Sequence, residues 1–473
     1  MNNTWLIVGI LITFSCMVGI GIYTSRRVKN SADFTVAGRS ASPVMIASTI
    51  LGSCVGAGAT VGTAETAFKI GIVGWWQSLG IAVGCLILGL FLAQHIYKTK
   101  TETVSQVLVK TYGPKVGPIT SLFGAIAVFF SILSQTKGFI PLLQSFIPVP
   151  IVTASAICVA LVLAYVLFGG IFGTSLGGML KMIIILISLI ICAIIAFSGL
   201  GGISGIKSSF DFDPWLNLFS RGVSKDIAIG LGFALGVLVT QVYIQAVLSA
   251  RDAKAARDGA ILSAFIGFPI GLFGVLVGFY MRQNFPSIDP AQAFPQFLIL
   301  KFPPVLAGIS IGGLMLAALG SNAGLTLGIS TTVSRDIYKK VFRKNADDKE
   351  MLLVLRIIMV IVAVAAGIFA ITKAGELIQT FIFLSFGLRT CVFLVPMLFA
   401  FYYKGRLTNE AGIAAVLVGP TVNLVWNLFK PTELDPIYAG LIGATVAFIL
   451  VNEIAKRMKK EDTGVPLSAT DTE

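Results

Sequence analysis

The chain has 473 residues, 56% of them hydrophobic and only 12% charged, and carries a net charge of +13. A soluble chain of this length holds about twice that charged fraction. Composition therefore excludes a soluble enzyme or nucleic-acid-binding domain and defines an all-α polytopic membrane protein whose first partner is the lipid bilayer.

A helix needs about 20 apolar residues to cross a bilayer. In chain order such runs cover 4–25, 43–69, 71–96, 116–147, 149–169, 172–198, 227–249, 259–281, 304–334, 351–372, 374–402, 408–428 and 436–456, which makes thirteen predicted helices. The first run has neither a basic leader nor a small-residue cleavage site and reads as a retained span. An odd number of spans puts the termini on opposite faces. With the N-terminus outside, 23 of the 35 lysines and arginines fall on inside segments and eight on outside ones, which is the asymmetry the positive-inside rule asks for. The expected topology is a multi-pass protein of the cell membrane, N-terminus outside and C-terminus cytoplasmic. The basic net charge is then a topology signal spread over loops, with no one face gathered for nucleic acid.

The run at 43–69 is the most informative. Its middle, Gly52-Ser53-Cys54-Val55-Gly56-Ala57-Gly58, sets three glycines in seven positions. Each glycine weakens a helix by roughly 1 kcal/mol relative to alanine, so the helix is expected to open here. Lipid cannot satisfy carbonyls freed at mid-bilayer, so they must line a protein cavity. A broken helix at that depth points to a transporter's binding site. Close helix packing through small residues is the competing reading.

Later in the chain, the outside segments 199–226, with Asp211, Asp213 and Trp215, and 282–303, with Pro286, Pro290 and Pro295, are long enough to cover an external vestibule or to be plain connectors. Residues 461–473 are polar and expected to be disordered. Four basic residues fall inside predicted spans: Lys137, Lys181, Arg356 and Arg389. A charge at that depth costs about 2.5–3.5 kcal/mol on insertion scales and normally faces a cavity or a partner. Arg356 is close to the inside end and can snorkel. Arg389 is central and reads either as a link to helix-end carbonyls or as a fixed counter-charge for an anion. Among the acids only Glu65 lies at any depth, where it can pair with Lys69 one turn on. Candidates to face a central cavity are Ser53, Cys54, Gly56, Gln135, Lys137, Thr240, Gln241 and Asn322, against the alternative of hydrogen bonding between helices.

Enzyme chemistry has little support. There is no P-loop, no HExxH, no CxxC and a single histidine, His95, so neither a metal cluster, a disulfide framework nor a bound cofactor is expected. GxSxG occurs at 173–177 and 308–312, but inside apolar spans that lack the strand-to-helix turn a hydrolase needs.

Four stretches resemble the sodium/solute symporter family: FTVAGRSASP at 34–43, AYVLFGG at 164–170, QAVLSARDAKAAR at 245–257 and SRDIYKK at 334–340. The resemblance runs from about 34 to 404. It implies a leucine-transporter type of fold, with inverted five-helix repeats at 43–198 and 227–402 and an outside loop at 199–226. One helix and an inside loop precede the repeats (1–42), and two helices (403–460) and the tail (461–473) follow. It also implies a sodium site built from the carbonyls of Gly52 and Val55, the carbonyl of Ala317, and the positions of Gly320 and Ser321. Two departures weaken that site. Gly320 stands where many members have a second hydroxyl, and Gly177 and Gly178, followed by Lys181, stand where members carry a Thr-Asp pair. The reading is a secondary active transporter of a small organic solute, expected to be an anionic carboxylate, coupled by family habit to sodium. The alternative is a proton-coupled or sodium-independent transporter in which the Lys181 ammonium replaces the ion. A sensor would need a soluble signalling domain and a channel a continuous polar lining. Oligomeric state stays open.

Overall fold

The computed structural model describes residues 3–25, 40–99, 103–169, 175–403 and 405–463. The 34–39 part of the first family-like stretch and residues 170–174 lie outside it. Among the described residues there is no strand, only an isolated bridge between Ala41 and Ala250.

In chain order the helices are α1 (Asn3–Ser25), α2 (Pro43–Cys54), α3 (Val61–Ile70), α4 (Trp76–Ile87), α5 (Ala93–Thr99), α6 (Val104–Tyr112), α7 (Val116–Gln144), α8 (Ile151–Gly169), α9 (Ser175–Gly199) and α10 (Gly202–Ser209). The second half holds α11 (Val223–Val237), α12 (Gln241–Leu248), α13 (Ala253–Asn284), α14 (Ala293–Lys301), α15 (Pro304–Thr332), α16 (Asp348–Thr372), α17 (Ile378–Tyr402), α18 (Asn409–Phe429) and α19 (Pro436–Thr463). Every predicted apolar run coincides with a helix or a broken pair. Nine helices are long and apolar enough to cross a membrane by themselves among the described residues, or ten with the bent pair α11–α12 taken as one span. Three of the remaining expected runs appear there as shorter apolar helices, Thr4–Cys16, Pro43–Cys54 and Ile151–Tyr165, and the first break divides the run at 43–69 between α2 and the span that begins at Val61.

Local chemistry starts these helices where the sequence changes from polar to apolar. Ser42 caps α2 by accepting from the Met45 amide at 3.3 Å, with Pro43 in the first turn. Asp252 caps α13 through the Ala255 amide and Asp347 caps α16 through the Glu350 amide, each at 2.7 Å. Such caps satisfy amides that the first turn leaves without partners. The apolar faces then pack by close backbone approach. α13 lies against α2, α3 and α4, and α17 against α7 and α11.

Outside the core bundle α1 crosses α15 at glycines. A Cβ on Gly9 would stand 2.9 Å from the Ile309 amide, and one on Gly312 3.1 Å from the Thr13 Cβ. The GxSxG at 308–312 is therefore a helix crossing, and its Ser310 shares a 2.8 Å hydrogen bond with Ser188. Gly308→Leu would overpack this crossing at a cost of about 1–3 kcal/mol. A lowered melting temperature in detergent, with the protein still folded, is the expected measurement.

The two long outside segments are packed structures. Trp215 stacks near Phe210 at 5.4 Å between ring centroids, and Arg282 lies over both the Trp215 and Phe68 rings. The turn at Pro290–Gln292 and α14 pack onto α3.

Candidate functional site

The helix begun at Pro43 opens where the glycines predict. Val55 ends α2 with φ −85° and ψ 71°, and Thr60 precedes α3 with φ −115° and ψ −82°. Hydrogen bonding resumes from Gly62 N to Ala57 O (2.9 Å) and from Ala64 N to Thr60 O (3.1 Å), so it skips the carbonyls of Gly52 and Val55. Two hydroxyls quench part of the rest: Thr60 donates to Gly56 O at 3.0 Å and Thr63 to Gly58 O at 3.4 Å. None of these glycines has a positive φ. They are needed for approach: a Cβ on Gly56 would sit 2.7 Å from the Gln135 amide nitrogen, and one on Gly58 3.2 Å from that of Gln77.

Gln135, on α7, accepts from the Ala57 amide at 3.1 Å and so holds the open segment. Cys54, Val55 and Ala59 from the break face a small cavity with Ser78, Ile81, Gly267 and Ile270. Of the residues expected to face a cavity, Cys54 lines this one, and Gln135 holds the backbone beside it.

A second break stands at 238–240 between α11 and α12, bent by 40°. Thr240 donates to the Gly236 carbonyl at 2.7 Å, which also accepts from the Val239 amide at 3.3 Å. Its hydroxyl also accepts from Arg389 at 3.2 Å, while the other terminal nitrogen of Arg389 donates to Ser131 at 2.6 Å and to Ser385 at 2.5 Å. Arg389 is 6% exposed and lies over the Phe386 ring at 5.0 Å. Its Nε has no partner, and among the described residues it meets no carboxylate. Tyr243 is buried on α12, which packs against α2. The two breaks therefore converge on one buried polar region with an uncompensated positive charge.

Other expected residues are placed differently. Asn322 gives its amide to Thr136 at 2.8 Å and accepts from Thr326, so it ties α15 to α7. Gln241 accepts from the Val104 amide at 3.0 Å and caps the start of α6. Lys137 donates to the carbonyls of Lys373, Ala374 and Glu376 beyond the end of α16. Each of the three makes a structural link in this conformation.

Gln77 is the residue that sequence reasoning missed. It is 1% exposed, faces Gly58, and neither its oxygen nor its nitrogen has a partner. Only the first break's position, folded back on α4, could have singled it out.

The expected cation site spans two helices. Gly52 and Val55 close α2, whereas Ala317, Gly320 and Ser321 lie along α15, and α9 packs against both. Carbonyls and one hydroxyl are the hard oxygen donors that an alkali cation takes. No described residue stands within 4 Å of where a Gly320 side chain would begin. Lys181 belongs to α9, but its side chain lies outside the described part of the structure.

Two discontinuous helices that meet at a buried polar centre inside an apolar helical bundle define a secondary transporter. The chain belongs to the sodium:solute symporter family, which matches residues 34–419. It is 25% identical over 96% of its length to the osmoregulated proline transporter OpuE of Bacillus subtilis, covering 96% of that protein. It is also 25% identical to the high-affinity proline transporter PutP of the same organism, over 87% of this chain and 89% of the other. Among solved structures, the substrate-bound, outward-open form of a Na+-coupled sialic acid symporter superposes with a TM-score of 0.76 at 17% identity, over 96% of this chain and 97% of that one. Inward-facing Mhp1 superposes with a TM-score of 0.54 at 14% identity, over 90% and 95%. The fold is thus of the leucine-transporter type. As a family member the protein is a multi-pass, cation-coupled solute symporter that works by alternating access and is not an enzyme.

Proposed function

We propose that the solute is a small carboxylate, either a simple anion or an amino acid presenting its carboxyl group, and that Arg389 is its counter-charge. The observation that carries this reading is the buried guanidinium at the meeting of the two breaks, with a free Nε and, among the described residues, no carboxylate to neutralise it. A guanidinium grips a carboxylate through parallel hydrogen bonds, which suits it to this work. The two proline transporters among the relatives act on a solute of this chemistry, which supports the choice. Gln77 and Gln135 would supply amide contacts beside the break, with Ser53, Cys54 and Gly56 as the adjoining wall. In this reading the N-terminus is outside, the C-terminus cytoplasmic, and the repeats run over 43–198 and 227–402.

Sodium is the coupling ion of the proposal, held by Gly52, Val55, Ala317 and Ser321. A second reading is favoured by one sequence observation: an acid and a hydroxyl are replaced by Gly178 and Gly320, while Lys181 has appeared a turn away. In that reading the lysine ammonium, with one charge and three donors, takes the ion's place among the oxygens. Proteoliposomes loaded with and without sodium, and supplied with labelled L-proline and small carboxylates, test both. Sodium coupling predicts uptake driven by an inward sodium gradient and a half-saturating sodium concentration raised about tenfold by Ser321→Ala, from loss of one hydroxyl ligand. Uptake without sodium, lost in Lys181→Gln, favours the second reading. Failure of every carboxylate as a substrate would end the first.

A further inference from the structure

The link between α16 and α17 is moored from two sides by buried charges of opposite sign. On one side Glu65, at the far half of the broken helix, accepts from the Ile378 amide at 2.9 Å. On the other, the Lys137 ammonium on α7 donates to the carbonyls of Lys373 at 2.5 Å, Ala374 at 3.3 Å, and Glu376. Glu65 is 4% exposed and Lys137 6%. Neither forms an ion pair with another side chain among the described residues. Each instead meets backbone of the sign it needs. A helix N-terminus is electropositive and takes the carboxylate, and the carbonyls past a helix C-terminus are electronegative and take the ammonium. The remaining charges nearby are Lys69 on α3, Asp289 in the loop that packs over α3 and α7, and Glu376 of the link itself.

Neutral contacts close the same seam. Ser134 donates to Ile378 O at 3.1 Å, and the Gln379 amide reaches Thr63 and Gly74 O, both at 3.0 Å. Gly62 lets α3 and α17 touch, since a Cβ there would lie 3.2 Å from that of Ile378. The moored end of α17 is the end through which a solute would reach Arg389 and the first break from that face.

We propose that Glu65 and Lys137 form a latch on the 373–378 link that keeps this end of the pathway shut, and that releasing it opens the site to that face. The latch rests on alternating access and, in the proposed topology, guards the external side. Tying opposite charges to backbone rather than to each other lets the two moorings part as α17 swings, with no ion pair to break. The chemistry of the solute does not enter.

Accessibility of native Cys54, which faces the small cavity at the first break, reads the latch directly. In the full-length protein with the other five cysteines replaced, reconstituted into vesicles, a membrane-impermeant maleimide is applied to one face at a time. Labelling of a separate Lys373→Cys variant identifies the face of the link. Glu65→Gln and Lys137→Met are each expected to raise Cys54 labelling from that face about tenfold, the effect of losing one charge-assisted mooring. Gly62→Cys combined with Ile378→Cys, whose Cβ atoms stand close enough for a disulfide, is expected to abolish that labelling on oxidation and restore it on reduction. Unchanged labelling in both charge variants, labelling that persists through the crosslink, or a rise seen only from the opposite face would each overturn the latch. Since no solute is needed, these outcomes are independent of the carboxylate reading.

Discussion

Arg389→Met is expected to reduce carboxylate uptake by about a hundredfold and Arg389→Lys by about tenfold, with little loss of folded protein. Hydrogen bonds to charged groups are worth about 1.5–3 kcal/mol each, and lysine keeps the charge but loses the fork that meets two oxygens at once. Stability should move the other way. The guanidinium is buried on three hydroxyls, Ser131, Ser385 and Thr240, with no counter-ion among the described residues. Burying an ion costs several kcal/mol of desolvation, which an apolar side chain of similar length does not incur. The decisive measurement is therefore a pair: melting temperature without solute, and its increase on adding solute, which reports binding to the folded state. A transport arginine gives an unchanged or higher first value and no increase in Arg389→Met. A purely structural arginine gives a lowered first value and a normal increase from what remains folded.

The second large effect is expected at the clamp on the first break. Gln135→Leu leaves the buried Ala57 amide without an acceptor, which costs about 1–3 kcal/mol. Gly138, one turn along α7, receives the Ala57 side chain so closely that any added Cβ would overlap it. Gly138→Leu should therefore push the open segment off α7 and cost a further 1–3 kcal/mol or so. Both variants should lose at least about tenfold in uptake, because the displaced segment carries the wall of the site. The double variant should fall short of the sum, since both act on Ala57. Full activity in Gly138→Leu would mean that the break does not touch the transported solute.

The break was readable because it depends on local backbone energetics: glycines at 52, 56 and 58 weaken the helix wherever it packs. Arg389 was readable because a charge at the centre of an apolar run is expensive in any fold of this class. The roles of Lys137, Asn322 and Gln241 were not. Each is a polar residue in an apolar run, and such residues serve cavities and helix contacts equally well. The choice was made by neighbours more than 130 residues away for all three: the carbonyls of 373–376, Thr136, and the Val104 amide. Gln77 shows the reverse error. In sequence it is one polar residue near the end of a run, and only the fold sets it unpartnered against Gly58.

What the sequence determined by itself was the class of solvent, the apolar runs, the first break and the buried arginine, all consequences of composition and of interactions a few residues long. Tertiary structure decided which polar groups face the centre and which moor helices. Those assignments depend on how α7, α13 and α17 pack around the broken helices, and a pattern periodic along one helix carries no record of which distant helix will complete its hydrogen bonds.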